Sequence, residues 1–228
     1  IWRDHRHQAR HILEATTVIT KELVDRSYQA KGLAYQRRYP NEPFIAFLAM
    51  NFFNVPIERR SEMKILEVGC GTGANLWVVA REGFDAYGID LSPTAIELCA
   101  QVLDNWRVAA NIRVGDMIDL PYDDAEFDAI YDVVSIMHLN WNDHVKCWQE
   151  LYRCLKRGGR FFSYHTGENC ISYKCGAPMV DHCTVSNVPN GYPLANNGNM
   201  AFLSANEVRT TLTKIGFSDI TIAVSYTH

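Results

Sequence analysis

The residues Ile65, Leu66, Glu67, Val68, Gly69, Cys70, Gly71, Thr72, Gly73, Ala74 and Asn75 carry a short apolar run straight into a glycine-rich turn. A strand that breaks into alternate glycines and then into a helical stretch is the entry to a ligand site. Glycine lets the backbone turn sharply and approach a ligand without Cβ interference, and the helix start offers free N–H groups to an anionic or polar group. Outward from this turn the pattern repeats. Short apolar runs at Ala86 to Ile89, Asn111 to Val114, Phe127 to Val134, Gly159 to His165 and Asp219 to Ser225 alternate with helical segments. Such alternation predicts an α/β fold with a parallel sheet, begun by the strand Lys64 to Val68.

The helices announce themselves by their ends. Ser92 and Pro93 form an N-cap and N1 pair before a helix over Thr94 to Leu103, and Val145, Trp148, Leu151, Tyr152 and Leu155 stripe one face of another that stops at Lys156, Arg157 and Gly158. Ser204 and Glu207 have capping-box spacing ahead of Val208, Leu212 and Ile215, and Gly216 ends that helix. Before the core, Asn41 caps a helix carrying Ile45, Leu48 and Phe52, and an amphipathic helix is expected over Asp4 to Gln29. Residues 166–203 are rich in Gly, Asn, Pro and Tyr and show no periodicity, which predicts a functional loop or lid. The organisation expected is a helical cap over 1–60, a cofactor core over 61–165, a substrate lid over 166–203, and a final helix with the sixth strand over 204–228.

Three acids follow the strands. Glu67 stands two residues before the first glycine, Asp90 closes the second strand about twenty residues after the turn, and Asp116 follows Gly115 after the third. Two ligands compete for this arrangement. A dinucleotide would use the glycines and place its ribose on Asp90, but leaves Glu67 idle. S-adenosylmethionine uses all three: Glu67 for the α-amino group, Asp90 for the ribose, Asp116 for the adenine amino group.

With these motifs in order, the chain resembles the class I S-adenosylmethionine-dependent methyltransferases. Glu67, Gly69, Gly71 and Gly73 match the first family motif, Asp90 the second, Gly115 and Asp116 the third, Asp128 to Val134 the fourth, and Leu155 to Gly159 the turn beyond the helix. The resemblance implies an α/β Rossmann-like, doubly wound sheet with an N-terminal helical extension and a loop-rich lid, and S-adenosylmethionine as cofactor. The contacts it implies fall on Glu67, Gly69, Cys70, Gly71, Gly73, Asn75, Asp90, Leu91, Asp116, Met117 and Asp132. A finer likeness, to tellurite-resistance-type and sugar or metabolite methyltransferases, adds Tyr35, Arg38 and Tyr39 over the cofactor, with Arg38 near its carboxylate. Arg38 and Tyr39 have an equal alternative as anchors pinning the N-terminal helix.

In-line methyl transfer draws most of its acceleration from alignment, and needs a base only when the acceptor must lose a proton. The candidates at the ends of the fourth and fifth strands are Asp132, Ser135, His138, Tyr164 and His165, of which Asp132, His138 and His165 are taken as catalytic. His144 is expected at the surface or as a cap. The fourth motif lacks the Asn/Asp-Pro-Pro-aromatic pattern and no cysteine follows a proline, which argues against methylation of nucleic-acid bases. The expected reaction is transfer to an oxygen or nitrogen of a small metabolite, oxygen favoured. The alternatives are a non-catalytic sensor of the cofactor, a thiophilic, arsenite-like acceptor held by Cys170, Cys175, His182 and Cys183, and a nicotinamide-dependent oxidoreductase. No metal site is expected.

Charge agrees with a cationic cofactor. Residues 1–60 hold ten Lys or Arg against six Asp or Glu, whereas 61–228 hold twelve against twenty. This largely acidic surface disfavours a polyanion. Seven cysteines without a secretory leader predict free thiols and a cytoplasmic location, and no apolar run is long enough to span a membrane. The first residue is Ile1 and the last run ends at His228 inside a strand pattern, so an initiator Met upstream and a further strand downstream are expected.

Overall fold

The computed structural model describes residues 25–30 and 32–224. Five parallel strands, β1 (Lys64–Val68), β2 (Asp85–Asp90), β3 (Asn111–Val114), β4 (Phe127–Val133) and β5 (Leu155–Tyr164), form one sheet in the order β3-β2-β1-β4-β5. The order reverses between β1 and β4. At such a switch point the loops leaving the strands diverge and open a crevice at the carboxyl edge.

Both faces of the sheet are covered, which is why the central strands read as near-continuous apolar runs rather than alternating ones. Ile65, Ala129 and Tyr131 face α1 (Glu42–Phe52), α2 (Leu76–Arg81) and α3 (Pro93–Trp106), where Phe44, Leu48, Phe52 and Leu76 are fully or almost fully buried. Leu66, Val68 and Ile130 face α4 (Trp141–Cys154) and α5 (Ala205–Ile215) through Trp148, Leu151 and Leu212. The caps form as the sequence demands. The Asn41 side chain accepts from the Phe44 N–H, Ser92 from Ala95, and Ser204 and Glu207 complete a capping box. Each such cap contributes about 1 kcal/mol.

Three boundaries depart from expectation. α4 ends at Cys154 rather than near Gly158, because Leu155 already pairs with Phe127 and the chain reaches the regular register at Ala129 and Arg160 only after an irregularity. Residues 219–224 are not a strand. Asp219 has a left-handed φ of 53°, Phe217 and Ile220 dock on the apolar cluster beneath α4, and β5 has no further strand beside it among the described residues. Apolar alternation is legible there, but a ladder needs a partner. Residues 166–203 are not bare loop: a two-stranded antiparallel ribbon of β6 (Thr184–Ser186) and β7 (Asn199–Ala201) closes over a third cluster of Met137, Val185, Val188, Met200 and Phe202. The helix expected over Asp4 to Gln29 is helical from residue 25 onward, and its remainder lies outside the described residues.

Candidate functional site

The glycine turn after β1 sits at the crevice. Gly69 has φ 65°, and a Cβ there would collide with the Ser135 side chain, whose hydroxyl donates to the Gly69 carbonyl at 2.8 Å. The β1 and β4 turns are thereby locked together. Gly71 has φ 51°, its N–H donates to Asp90 Oδ2 at 2.8 Å, and a Cβ on it would come 2.9 Å from the Tyr28 hydroxyl. Asp90 Oδ1 accepts from the Ser92 N–H at 2.9 Å. The carboxylate is thus held by backbone on both sides; burial raises its pKa and these N–H bonds pull the other way.

Glu67 lies under the turn, almost fully buried. It accepts from Asn75 Nδ2 at 2.7 Å and from the Tyr131 hydroxyl at 3.0 Å. Burial pushes its pKa up to about 8, against the pull of those two donors, with Asp132 and Asp90 adding to the rise. Asp116 and Met117 complete the row: Asp116 Oδ1 caps the turn by accepting from Ile118 N–H at 3.1 Å, and the Met117 methyl lies 3.3 Å from the place of a Gly69 Cβ. A glycine turn beside a sulfur-bearing apolar side chain and buried carboxylates fits a cationic nucleoside such as S-adenosylmethionine.

Other expected contacts are placed differently. Cys70 turns its thiol inward against Gly88 and Cys99, leaving only its backbone at the groove. Asn75 is a tie, its Oδ1 accepting from the Asn41 N–H at 2.9 Å while its amide holds Glu67. Leu91 is half-buried between Asp90 and the α3 cap. Arg38 and Tyr39 serve as anchors: the Arg38 carbonyl accepts from Trp77 Nε1 at 3.3 Å, and Tyr39, 63% exposed, sets its ring edge against Trp106. Trp77 and Trp106 stack at 3.9 Å beside this segment. The side chain of Tyr35 lies outside the described residues.

At the β4 and β5 ends, Asp132 is 0% exposed and fully occupied. Its Oδ1 accepts from the Ser135 and Ile136 N–H groups at 2.8 and 3.0 Å and its Oδ2 from the Ser163 hydroxyl at 2.9 Å. Burial raises its pKa to about 6. Those bonds make Asp132 the cap of the turn after β4, not a base with a free oxygen. His138 donates Nδ1–H to the Asn199 carbonyl at 3.0 Å, a bond to the lobe that fixes the lone pair on Nε2, and burial lowers its pKa. His165 follows β5 directly and meets His144 at 2.9 Å between their Nε2 atoms. Sequence reasoning missed His144, which is wholly buried rather than at the surface.

It also missed Tyr28, Tyr131 and Ser163. Tyr131 is the parallel neighbour of Glu67 across β1 and β4, so the two side chains share a face. The lid cysteines do not converge. Cys183 points to Asp181 and Thr184, and the metal-capable group among the described residues is Asp181, His182 and Cys183. In that group Asp181 already accepts from the Trp141, Cys183 and Thr184 N–H groups, and His182 pairs with Glu207 at 2.9 Å.

Residues 66–163 match the model of the methyltransferase domain. Those residues thus carry a methyltransferase domain, and the sheet order and the acid-flanked glycine turn agree with the resemblance to the class I S-adenosylmethionine-dependent methyltransferases. Phosphoethanolamine N-methyltransferase 3 of Arabidopsis thaliana is 28% identical over 137 residues, covering 58% of this chain and 28% of that protein. The chloroplastic tocopherol O-methyltransferase of the same plant is 30% identical over 106 residues, covering 45% of this chain and 30% of that protein. The chain therefore spans less than a third of these relatives' own lengths. A Haemonchus contortus phosphoethanolamine N-methyltransferase 2, solved with phosphomonomethylethanolamine and S-adenosylhomocysteine, superposes with a TM-score of 0.62 at 20% identity, over 88% of this chain and 45% of that one. No helix among the described residues is long and apolar enough to cross a membrane.

Proposed function

We propose that the chain transfers a methyl group from S-adenosylmethionine to an oxygen or nitrogen of a small metabolite, with a hydroxyl favoured. The observation that carries this is the division of one carboxyl edge between buried carboxylates at Glu67 and Asp90 and imidazoles at His138 and His165. When bound, the cofactor supplies a methyl carbon activated by its sulfonium. Glu67 would hold its ammonium, Asp90 its ribose and Asp116 its adenine, while the β4 and β5 ends would position the acceptor beneath the 166–203 lobe. A hydroxyl is favoured because Asp132, the carboxylate of the β4 end, is buried and spent on its turn, which leaves it unable to pair with a cationic acceptor. All seven cysteines are free thiols, which supports a reducing, cytosolic setting.

The relatives' N- and O-methyl acceptors, as their names give them, set the first compounds to try. The purified protein should be incubated with S-adenosylmethionine and a panel of hydroxylated and amino metabolites, and release of S-adenosylhomocysteine measured. Release above background with at least one acceptor is expected. A folded protein that binds S-adenosylhomocysteine tightly and turns over nothing in the panel would instead be a sensor of the cofactor.

A further inference from the structure

We propose that His144 and His165 act as one proton acceptor at the carboxyl end of β5, sharing a single proton along the line between their Nε2 atoms. This rests on the methyl-transfer reading for the use of that proton and deepens it. Such a pair serves an acceptor that arrives as O–H or N–H and has no task where the attacking atom carries no proton.

The hydrogen-bond partners dictate the proton count. His144 Nδ1 lies 3.2 Å from the Leu139 carbonyl and His165 Nδ1 lies 2.9 Å from the Thr166 carbonyl. A carbonyl only accepts, so each Nδ1 carries a hydrogen. The Nε2 atoms then face each other with lone pairs at 2.9 Å, a separation that suits a hydrogen bond and repels two bare lone pairs. One proton placed between them relieves that repulsion and gives a pair holding three protons and one positive charge. Neither ring can exchange tautomers without giving up its bond to the backbone.

Placement gives the pair a direction. His165 is half-buried and stands level with the turn that locks to Gly69, since Val134 N–H donates to the Tyr164 carbonyl at 2.9 Å. His144 lies beneath it in the first turn of α4, 0% exposed, with its ring edge-on to Trp148 at 5.3 Å. A proton therefore enters at His165 and is shared inward. The charged or titratable neighbours are His138, which acts on His165 from the turn after β4, and Asp181, which acts on His144 from the lobe. Burial, reinforced by the facing imidazole for His144, pulls that ring's pKa down to about 3; burial with a smaller push from His138 takes His165 to about 4. Burial thus favours the neutral pair between turnovers, at the cost of two facing lone pairs whose repulsion one incoming proton relieves. In the step itself, the acceptor's O–H or N–H bond breaks, its proton takes the position between the two Nε2 atoms, and the electron pair left behind takes the methyl group. The proton then leaves by way of His165, the less buried ring of the two.

The test needs no methyl acceptor. In 15N-histidine-labelled protein, long-range 1H–15N spectra are expected to show both Nδ1 atoms protonated and the two rings taking up one proton in a joint step as pH falls. In His144→Phe, and in the gentler His144→Gln, the His165 midpoint should move down by at least one pH unit, about a tenfold loss of proton affinity. An unmoved midpoint in a well-folded variant, an unprotonated Nδ1 on either ring, or a stoichiometric metal ion bridging the two Nε2 atoms in purified protein would each overturn the proposal. With an acceptor from the panel in hand, the acid limb of kcat/KM should shift with the same sign while S-adenosylhomocysteine affinity holds. A coupled pair in a protein that methylates nothing would sink the methyl-transfer reading and leave the pair standing.

Discussion

Along the carboxyl edge, the β1, β2 and β3 ends gather carboxylates and backbone N–H groups around short turns, whereas the β4 and β5 ends gather imidazoles beneath a folded lobe of nearly forty residues. In the first half each acid stands at or just beyond a strand end, a place that short-range signals give, although Tyr131 from β4 completes the hold on Glu67. In the second half the partners come from afar: His138 bonds to Asn199 and His144 to His165. The difference teaches that the acids of the glycine-turn half can be placed from nearby sequence, whereas the imidazoles of the other half are brought together by tertiary contacts.

The strongest way to break that contrast is to attack the acid that joins β2 to the glycine turn. Asp90→Ala leaves the Gly71 and Ser92 N–H groups unpaired, at about 1–3 kcal/mol each, and removes the acceptor offered to the ribose hydroxyls as well. S-adenosylhomocysteine affinity, measured by titration calorimetry on protein shown to be folded, should fall by about a hundredfold or more. A change below threefold would remove Asp90 from the cofactor's site.

Asp132 tests the other half. Were it a general base, Asp132→Asn would abolish turnover. As the cap of the β4 turn, the asparagine keeps an oxygen for the Ser135 and Ile136 N–H groups and an amide to donate to the Ser163 hydroxyl. Turnover should stay within about tenfold of wild type. Asp132→Ala loses all three bonds and should cost about 2–4 kcal/mol of stability in urea unfolding. An asparagine variant that is stable and inert would restore the base.

The same contrast explains what the sequence can reveal. Strands one to five, the caps at Asn41, Ser92 and Ser204, and the places of Glu67 and Asp90 at strand ends are encoded in residues next to one another. Tyr131 is invisible at that level because it reaches Glu67 through strand register, which the chain order does not carry. His144 looks like a surface residue because it follows Asp143 at a helix start, yet Trp148 and His165 bury it from two other directions. Arg38 and Tyr39 are ambiguous in sequence for a related reason: the stacked Trp77 and Trp106 beside them are brought together only by tertiary contact.

Tyr28 sharpens the boundary of the cofactor half. Its hydroxyl stands over Gly71, and burial, with Asp90 and Cys70 adding to it, pushes its pKa upward, so it is a neutral donor at any working pH. Asp25, in the same segment, accepts from the Ser92 hydroxyl and from the Thr94 N–H at 3.4 Å. Residues 25–30 thus close one side of the groove. Tyr28→Phe should weaken S-adenosylhomocysteine binding about three- to tenfold in the same calorimetric assay; tighter binding would mean that the hydroxyl obstructs the ligand.

Glu67 gives the smallest effect and the most specific one. Its pKa of about 8, raised by burial from 4.5, means that the folded, unliganded protein holds more protons than the unfolded chain between those values. This group therefore favours the fold below about pH 4.5, and its contribution declines as pH rises through 8. A ligand ammonium reverses the preference by favouring the carboxylate. Binding of S-adenosylhomocysteine at pH 7 should then release up to one proton, read as a calorimetric enthalpy that changes with the ionisation enthalpy of the buffer, and affinity should rise as pH increases from 6 to 8. In Glu67→Gln, which keeps the shape and an oxygen for Asn75, the released proton should disappear. If release persists in that variant, the ammonium is held by another acid, with Asp90 the next to examine.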